Sequence, residues 1–190
     1  MTFLASRFRA LGLAVVVSIG TAACSSGPSG APQLGTQKNV DLARYAGLWY
    51  EQARLPNRFQ KQCVDEVQAR YEVAGQGLLV TNSCRTASGA REQAQAQGRL
   101  NPDVEDPARL QVRFAPAWMS WLPWVWGDYW ILRVDGDYDY ALVGTPDREY
   151  LWVLSRTPRT DDARVQSLLD YAASQGFDTS KVKRTAQSPE

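Results

Sequence analysis

Eight short runs of predicted strand, separated by turn residues, constrain most strongly what this chain can fold into. In residues 67–73, apolar side chains alternate with polar or charged ones, as in a strand with one buried and one wet face. Asp135-Gly136-Asp137 predicts a tight hairpin connection. Eight antiparallel, up-and-down strands can close into a barrel that holds one small ligand. The predicted strands are 48–54, 64–73, 78–84, 91–99, 109–114, 128–135, 138–144 and 150–156.

One helix is predicted after the last strand, which makes the fold class all-β with a single C-terminal α-helix. Residues 160–162 supply a capping side chain and early acids, and Gly176 suits the C-terminal end. The apolar stripe of this helix is expected to pack against the outside of the barrel. Its apolar residues recur at helical spacing and are Val165, Leu168, Leu169 and Ala172.

Aromatic segments at the two ends of the strand region carry a family resemblance. Gly47-Leu48-Trp49-Tyr50 opens the first strand, and residues 151–158 form and follow the last. With Gly127-Asp128-Tyr129-Trp130 and residues 137–144 between them, they resemble the lipocalin family, and in particular the bacterial outer-membrane lipoprotein lipocalins. The resemblance covers residues 40–184 and implies the same barrel, with the helix outside it.

The first 23 residues indicate a secretion signal. Arg7 and Arg9 precede an apolar run at residues 10–20 that is too short for a permanent membrane helix. Small residues then lead to Cys24, as in bacterial lipoprotein signals, although Thr21 stands where such signals usually carry leucine. We therefore expect cleavage before Cys24 and its lipidation. The alternative is an ordinary signal peptide followed by a free cysteine.

The mature chain is expected to be held at the outer membrane by its lipid. Ser25 follows the lipidated position, which resembles lipoproteins exported to the outer membrane. Residues 24–38 are rich in small residues and proline and predict a flexible tether. Residues 39–190 then form the lipocalin domain, a comfortable size for one core. After residue 23, no apolar stretch is long enough to cross a membrane, so the membrane is a partner through the anchor.

The charge of the mature chain argues against nucleic acid as a partner. Removing residues 1–23 takes away Arg7 and Arg9 and no acidic residue, so the net charge falls from +1 to −1. The chain also lacks a run of basic residues. Nucleic-acid binding ordinarily requires such a basic surface.

Two cysteines remain after lipidation, Cys63 and Cys84, in an oxidising compartment. The lipocalin layout places Cys63 at the start of the second strand and Cys84 at the end of the third, which implies a disulfide between them. Counting through the turn at residues 74–77 sets Cys84 opposite Val67, so a bulge is also required. Two free thiols are the alternative.

The sequence carries few of the groups that enzymes use. It contains no histidine, which removes the usual triad base, most zinc sites and the ordinary pH switch. Gly75 and Gly77 lie in a hairpin turn and not in a phosphate-binding loop, and acidic pairs such as Asp161-Asp162 are expected to be solvated. We expect no catalytic residue, no metal site and no cofactor, and hence no enzyme.

The family resemblance implies a structural contact at the closed end of the barrel. There Arg156, at the end of the last strand, lies over Trp49, two residues after Gly47. A planar cation over an indole face contributes about 0.5 to 2 kcal/mol. These three residues are therefore expected to stabilise the fold and not to contact ligand.

The connection between the fifth and sixth strands carries four of the seven tryptophans of the chain. Two prolines in residues 115–126 exclude a regular strand. In lipocalin topology this connection lies at the open mouth of the barrel. Its alternatives are a self-packed lid, a membrane-facing or ligand-gating lip, and a dimer contact. The four residues of this mouth loop are Trp118, Trp121, Trp124 and Trp126.

Inward-facing residues are predicted to form an apolar ligand pocket. Counting by alternation from Trp49 places Ala53 inside, and Phe59, in a mouth loop, could close over a ligand. Each residue could equally be plain core, but together they imply a pocket that selects acyl chains by burial. The predicted cavity residues are Ala53, Phe59, Val67, Ala69, Tyr71, Trp130, Leu132, Trp152 and Leu154.

The resemblance implies a lipoprotein that binds, stores or transports fatty acids or lysophospholipids, in the service of membrane maintenance. A structural or assembly lipoprotein with a filled barrel is the alternative, and the space inside the barrel separates the two. Some proteins with this fold are enzymes, but the residues above do not favour catalysis. Family members can pair, so a homodimer is also possible.

Overall fold

The computed structural model describes residues 33–75 and 77–188. The predicted signal at residues 1–23 and the predicted lipidation site Cys24 lie outside the described residues. The described chain contains two α-helices, α1 (Leu42–Tyr45) and α2 (Asp162–Ser174). Its strands are β1 (Gly47–Arg54), β2 (Cys63–Ala74), β3 (Gly77–Thr86), β4 (Arg91–Leu100), β5 (Arg109–Arg113), β6 (Gly127–Asp135), β7 (Tyr140–Gly144), β8 (Leu151–Ser155) and β9 (Lys183–Arg184).

The sheet is an antiparallel, up-and-down barrel. Each strand from β1 to β7 pairs with the next strand in the chain. Strand β1 also pairs with β8, from Tyr50 opposite Ser155 to Arg54 opposite Trp152, and this pairing closes the ring. The predicted eight-stranded lipocalin barrel is thus confirmed. Strand β9, which the sequence did not predict, adds a short ninth strand beside the end of β1.

The strand bounds agree with the predicted ones to within two residues, and shifts of two residues occur at the end of β3 and at the turn before β7. The prediction began this strand at residue 138, but β7 begins at Tyr140. Gly136, Asp137 and Tyr138 all have positive φ angles, of 56°, 44° and 73°. The turn therefore extends through Tyr138, because consecutive left-handed residues cannot continue a strand.

Helix α2 lies outside the barrel, as predicted. The Asp161 carboxylate caps it by accepting a hydrogen bond from the Ala163 amide at 2.9 Å, and Gly176 follows with a φ of +91°. Its buried face packs on outward-facing apolar residues of β7 and β8 in a second core, separate from the barrel interior. The buried helix residues are Val165, Leu168, Leu169 and Ala172.

The packed domain begins before residue 39 and includes part of the predicted tether. Leu34 is buried in the second core. The Gln37 amide donates to the Ile131 carbonyl at 2.9 Å, and the Val134 amide donates to the Gln37 side-chain oxygen at 3.2 Å. The segment thus lies along β6, held by backbone groups that the sequence pattern does not reveal.

Arg156 seals the closed end of the barrel. Its guanidinium carbon lies 3.8 Å from the centre of the Trp49 ring, in agreement with the predicted contact. Gly47 has a φ of +103°, and a Cβ there would lie 3.1 Å from Nη1 of Arg156, so a side chain would crowd the guanidinium. The guanidinium also donates to four backbone carbonyls, those of Arg44, Tyr45, Leu48 and Tyr138.

The two described cysteines form the expected disulfide. Cys63 and Cys84 are bonded, with a Cα–Cα distance of 5.5 Å. The β2–β3 register shifts between Cys63 and Asp65 and again between Asp65 and Gln68, and Glu66 has a φ of +49°. These irregularities supply the predicted bulge, because the regular ladder would place Cys84 opposite Val67.

We predict that Arg156→Ala lowers the free energy of unfolding by about 2 to 4 kcal/mol, because the stack on Trp49 and the charged hydrogen bonds to carbonyls are lost together. Thermal unfolding followed by circular dichroism measures the loss. Arg164→Ala is the matched control, since its ion pair with Asp135 lies at the surface and should contribute less than about 1 kcal/mol. Equal melting temperatures for the two variants would contradict the structural role of Arg156.

We predict that removing the disulfide with Cys63→Ser/Cys84→Ser lowers the free energy of unfolding by about 3 kcal/mol, the value expected for a closed loop of this length. Urea unfolding of the two proteins measures the difference. Reductant should lower the midpoint of the unmodified protein to that of the variant and leave the variant unchanged. A midpoint that is insensitive to reductant in both proteins would disprove the stabilising role.

Candidate functional site

The barrel encloses a cavity of about 720 Å³ that opens at the end carrying the β1–β2, β3–β4, β5–β6 and β7–β8 loops. A volume of this size lies within the range of small-molecule sites. We call this end the mouth. The opposite end, which we call the closed end, carries α1 and Trp49 and is filled by buried aromatic side chains.

Six of the nine predicted cavity residues line this cavity. They come from different parts of the barrel but share its interior face or its mouth. They are Phe59, Val67, Ala69, Tyr71, Trp152 and Leu154.

Ala53 does not line the cavity, because a bulge interrupts the alternation on which its prediction rested. The register between β1 and β8 shifts between Glu51 and Ala53. Glu51 therefore faces the cavity, whereas Ala53 is buried on the outside of the sheet in the second core. A regular count from Trp49 has no means of detecting this extra residue.

Trp130 and Leu132 also point away from the cavity. Both belong to the second core, between the barrel and α2, and the interior face of β6 carries Tyr129 and Ile131 instead. Both faces of β6 are apolar, because the helix covers the outer one. Alternation therefore could not indicate which face is inside.

Strand β4 shows how the interior stays open. Its inward residues are Glu92, Ala94 and Ala96, counted from the mouth. Ala96 is buried, whereas Glu92 and Ala94 are exposed within the cavity. Small side chains thus leave solvent-accessible space between the strands. The sequence analysis missed these residues, although alanine alternates with glutamine along Gln93–Gln97.

A chain of tyrosine hydroxyls lies at the inner end of the cavity. The Tyr129 hydroxyl is hydrogen-bonded to those of Tyr71 and Tyr45, both at 2.7 Å. Burial raises the pKa of Tyr71 to about 12 and raises the pKa values of Tyr45 and Tyr129 well above their usual range. All three groups are therefore neutral at physiological pH, and their polar atoms are largely satisfied by one another.

The wall beside β1 contains a buried carboxylate that is fully paired. Glu51 is only 2% exposed, and its Oε1 receives hydrogen bonds from Arg54 and Thr185, each at 2.5 Å. Its Oε2 accepts from the Gln60 side-chain amide at 2.7 Å. Gln60 in turn accepts from Nε1 of Trp152 at 3.0 Å. The charge of Glu51 is thus compensated within the wall.

The β1 bulge creates this network. It places Arg54 opposite Trp152 in the ladder, and hence on the interior face together with Glu51. Thr185 reaches the pair because β9 lies against the end of β1. Spacing in the sequence could not predict this arrangement, since Thr185 lies far from Glu51 along the chain.

The mouth loop is only partly packed. Trp126 stacks under the Arg99 guanidinium at 3.9 Å, and its Nε1 donates to the Ser120 carbonyl at 2.8 Å. Trp118, Trp121 and Trp124 are instead 74%, 76% and 76% exposed. A wholly self-packed lid is therefore excluded. Of the four, Trp124 and Trp126 line the cavity.

The described residues offer neither a membrane-spanning helix nor a cluster of metal ligands. Among residues 33–75 and 77–188, no helix has the length and apolar character needed to cross a membrane. Within the same ranges, no group of three or more histidine, cysteine, aspartate or glutamate side chains is placed to hold a metal ion.

Known proteins resemble this chain in sequence over most of its length. Temperature-induced lipocalin-1 of Arabidopsis thaliana is 36% identical over 152 residues, which cover 80% of this chain and 81% of that protein. Outer membrane lipoprotein Blc of Escherichia coli (strain K12) is 34% identical over 161 residues, covering 84% and 85%. The aligned residues make up four-fifths or more of this chain, so the similarity is not confined to one motif.

Solved structures share the fold at lower identity. Insecticyanin from the tobacco hornworm Manduca sexta superimposes with a TM-score of 0.64 at 22% identity, covering 85% of this chain and 88% of that one. The family model of the lipocalin-like domain matches residues 40–187, which span every strand of the barrel and α2. The chain therefore belongs to the lipocalin family.

Proposed function

We propose that this protein binds fatty acids or lysophospholipids in the barrel and stores or carries them at the outer membrane. The observation that carries the proposal is the cavity of about 720 Å³. Neutral tyrosine side chains line its inner end, and the buried carboxylate of Glu51 in its wall is paired with Arg54. Such a site suits an apolar chain, because an acyl tail brings no polar group that the interior would have to satisfy.

Binding is then reversible partitioning. The acyl tail leaves water for the interior, with a gain of about 0.8 kcal/mol for each buried methylene. The polar headgroup stays near the mouth, where the lining includes Arg58, Asn82 and Gln93. Phe59 lies beside the entrance, with its ring 5.4 Å from that of Tyr150, and covers the upper part of the tail.

Attachment to the outer membrane through a lipid on Cys24 is part of the proposal. The signal-like residues before Cys24 support it. So does the similarity to proteins called outer membrane lipoprotein Blc, which also occur in Citrobacter freundii and Vibrio cholerae. A carrier tethered in this way would take up lipid close to the membrane from which it comes.

The rival functions are less well supported. A structural lipoprotein with a filled barrel does not require the open space beside Ala94 and Ala96. An enzyme would need an activated group at the cavity. There, the buried carboxylate of Glu51 is engaged by Arg54, Thr185 and Gln60, an arrangement suited to holding the wall together and not to proton transfer.

We predict that affinity for saturated fatty acids rises about fourfold with each added methylene until the cavity is full, because burial contributes about 0.8 kcal/mol per methylene. Quenching of tryptophan fluorescence measures the dissociation constants, since Trp124, Trp126 and Trp152 line the cavity. The same series of lysophospholipids tests the second ligand class. Affinities that do not change with chain length would contradict binding of the tail in the barrel.

We predict that Ala94→Phe weakens binding of the longest chains about tenfold or more, because the added six-carbon ring takes the room of several methylenes. Ala94 is exposed within the cavity, so the variant should fold normally. Ala173→Phe, on the exposed side of α2, is the matched control and should bind as the unmodified protein does. If both variants bind every chain length equally well, the ligand does not occupy this cavity.

A further inference from the structure

The mouth loop presents an exposed apolar surface that ligand binding inside the barrel does not explain. Residues 114–127 contain no charged residue. Trp118, Trp121 and Trp124 are about three-quarters exposed, and Phe114 is 48% exposed. Several large, exposed apolar side chains within one short loop of a folded protein often mark a contact with another apolar phase. Trp118 and Trp121 do not line the cavity.

The loop is held in this conformation by buried contacts beneath it. The guanidinium of Arg113, itself only 2% exposed, donates to the carbonyls of Ala115 and Pro116 and to the side chain of Gln97. Leu122 is buried, and two 3₁₀ turns, Ala117–Met119 and Pro123–Val125, shape the segment. These buried contacts hold the loop in place and leave the indoles of Trp118, Trp121 and Trp124 facing outward.

The exposed area is small for a protein partner. Three tryptophan side chains, each three-quarters exposed, offer roughly 350 to 550 Å², compared with about 800 Å² on each side of a stable protein interface. Shallow insertion into a bilayer needs no such area. Indole rings favour the headgroup boundary, where the ring is in an apolar medium and the N–H can still find a polar partner.

The described part of the N-terminal segment lies along the outside of β6. The Gln37 amide donates to Ile131 in the middle of β6, and the Asp41 amide donates to the Tyr138 hydroxyl at the closed end, at 2.8 Å. The Thr36 hydroxyl donates to the Asp106 carboxylate at 2.7 Å, in the β4–β5 connection at the closed end. Residues 36–41 therefore do not cover the mouth loop, whose indoles stay exposed.

We propose that the mouth loop docks on the surface of a lipid bilayer through Trp118, Trp121 and Trp124, with the barrel opening facing the lipid. The proposal rests on the exposed indoles at the mouth and does not depend on the anchor at Cys24 in the proposed function. A ligand would then pass between bilayer and cavity without crossing bulk water. Because the loop carries no charge, burial of the indoles drives docking, and anionic lipid is not required.

The test uses the mature chain with Cys24→Ser, so that no lipid anchor contributes, and phosphatidylcholine vesicles. We expect the protein to sediment with the vesicles and its tryptophan emission to shift to shorter wavelength. Trp118→Ser/Trp121→Ser should lower the partition coefficient about tenfold or more. Raising the salt concentration should change it less than about twofold, since no charge attraction is involved.

The matched control is Val73→Ser/Leu100→Ser, which removes exposed apolar side chains near the closed end and should leave partitioning within about twofold of the unmodified protein. Circular dichroism of each variant checks that it is folded. Fatty-acid titration separates this inference from the proposed function, because Trp118→Ser/Trp121→Ser should keep its ligand affinity. Vesicle binding without ligand binding would refute the carrier function and leave the docking surface standing.

The proposal is overturned if the unmodified protein does not bind the vesicles, or if Trp118→Ser/Trp121→Ser binds them as well as the control does. It is also overturned if the tryptophan variant changes only the sedimentation coefficient in analytical ultracentrifugation. That result would assign the loop to contact between two copies of the chain.

Discussion

Closure of the sheet at β1 is the constraint on which the rest of the structure depends. This strand pairs with β2 near its beginning and with β8 towards its end. The second pairing joins the last strand to the first, and without it the sheet would enclose no interior. Arg156 reinforces the closed end by joining four carbonyls to the face of Trp49. Closure removes exposed strand edges, and an eight-stranded ring leaves a space that side chains of ordinary size can either fill or leave open.

The distribution of side-chain size and charge inside the ring decides what that space can hold. Aromatic residues fill the closed end, while Ala69, Ala94 and Ala96 leave room above them. The polar groups at the inner end and beside β1 are engaged with one another, in the tyrosine chain and the Glu51 network. Paired polar groups cost little when an apolar tail covers them, which is why the interior supports the proposed lipid ligand better than a charged one.

The mouth loop extends the proposal from a binding site to a position relative to the membrane. Its outward indoles lie at the end of the barrel where the cavity opens. A carrier that faces its lipid source exposes the acyl tail to water for less of the transfer. The aromatic surface and the apolar cavity would then be successive parts of one route.

The sequence by itself determined the strands and the amphipathic helix, through alternation, turn residues and helical spacing, which are local signals. The disulfide and the Arg156–Trp49 contact were implied by the resemblance to lipocalins, which is a recurrent pattern. Tertiary structure alone decided that Ala53, Trp130 and Leu132 face outward and that Glu51 meets Thr185. A single extra residue in β1 reverses which side of the sheet the later residues of that strand face. The outer face of β6 is as apolar as the inner one because α2 covers it. The alternation of apolar and polar residues shows neither effect, because each depends on the elements that pack against the strand.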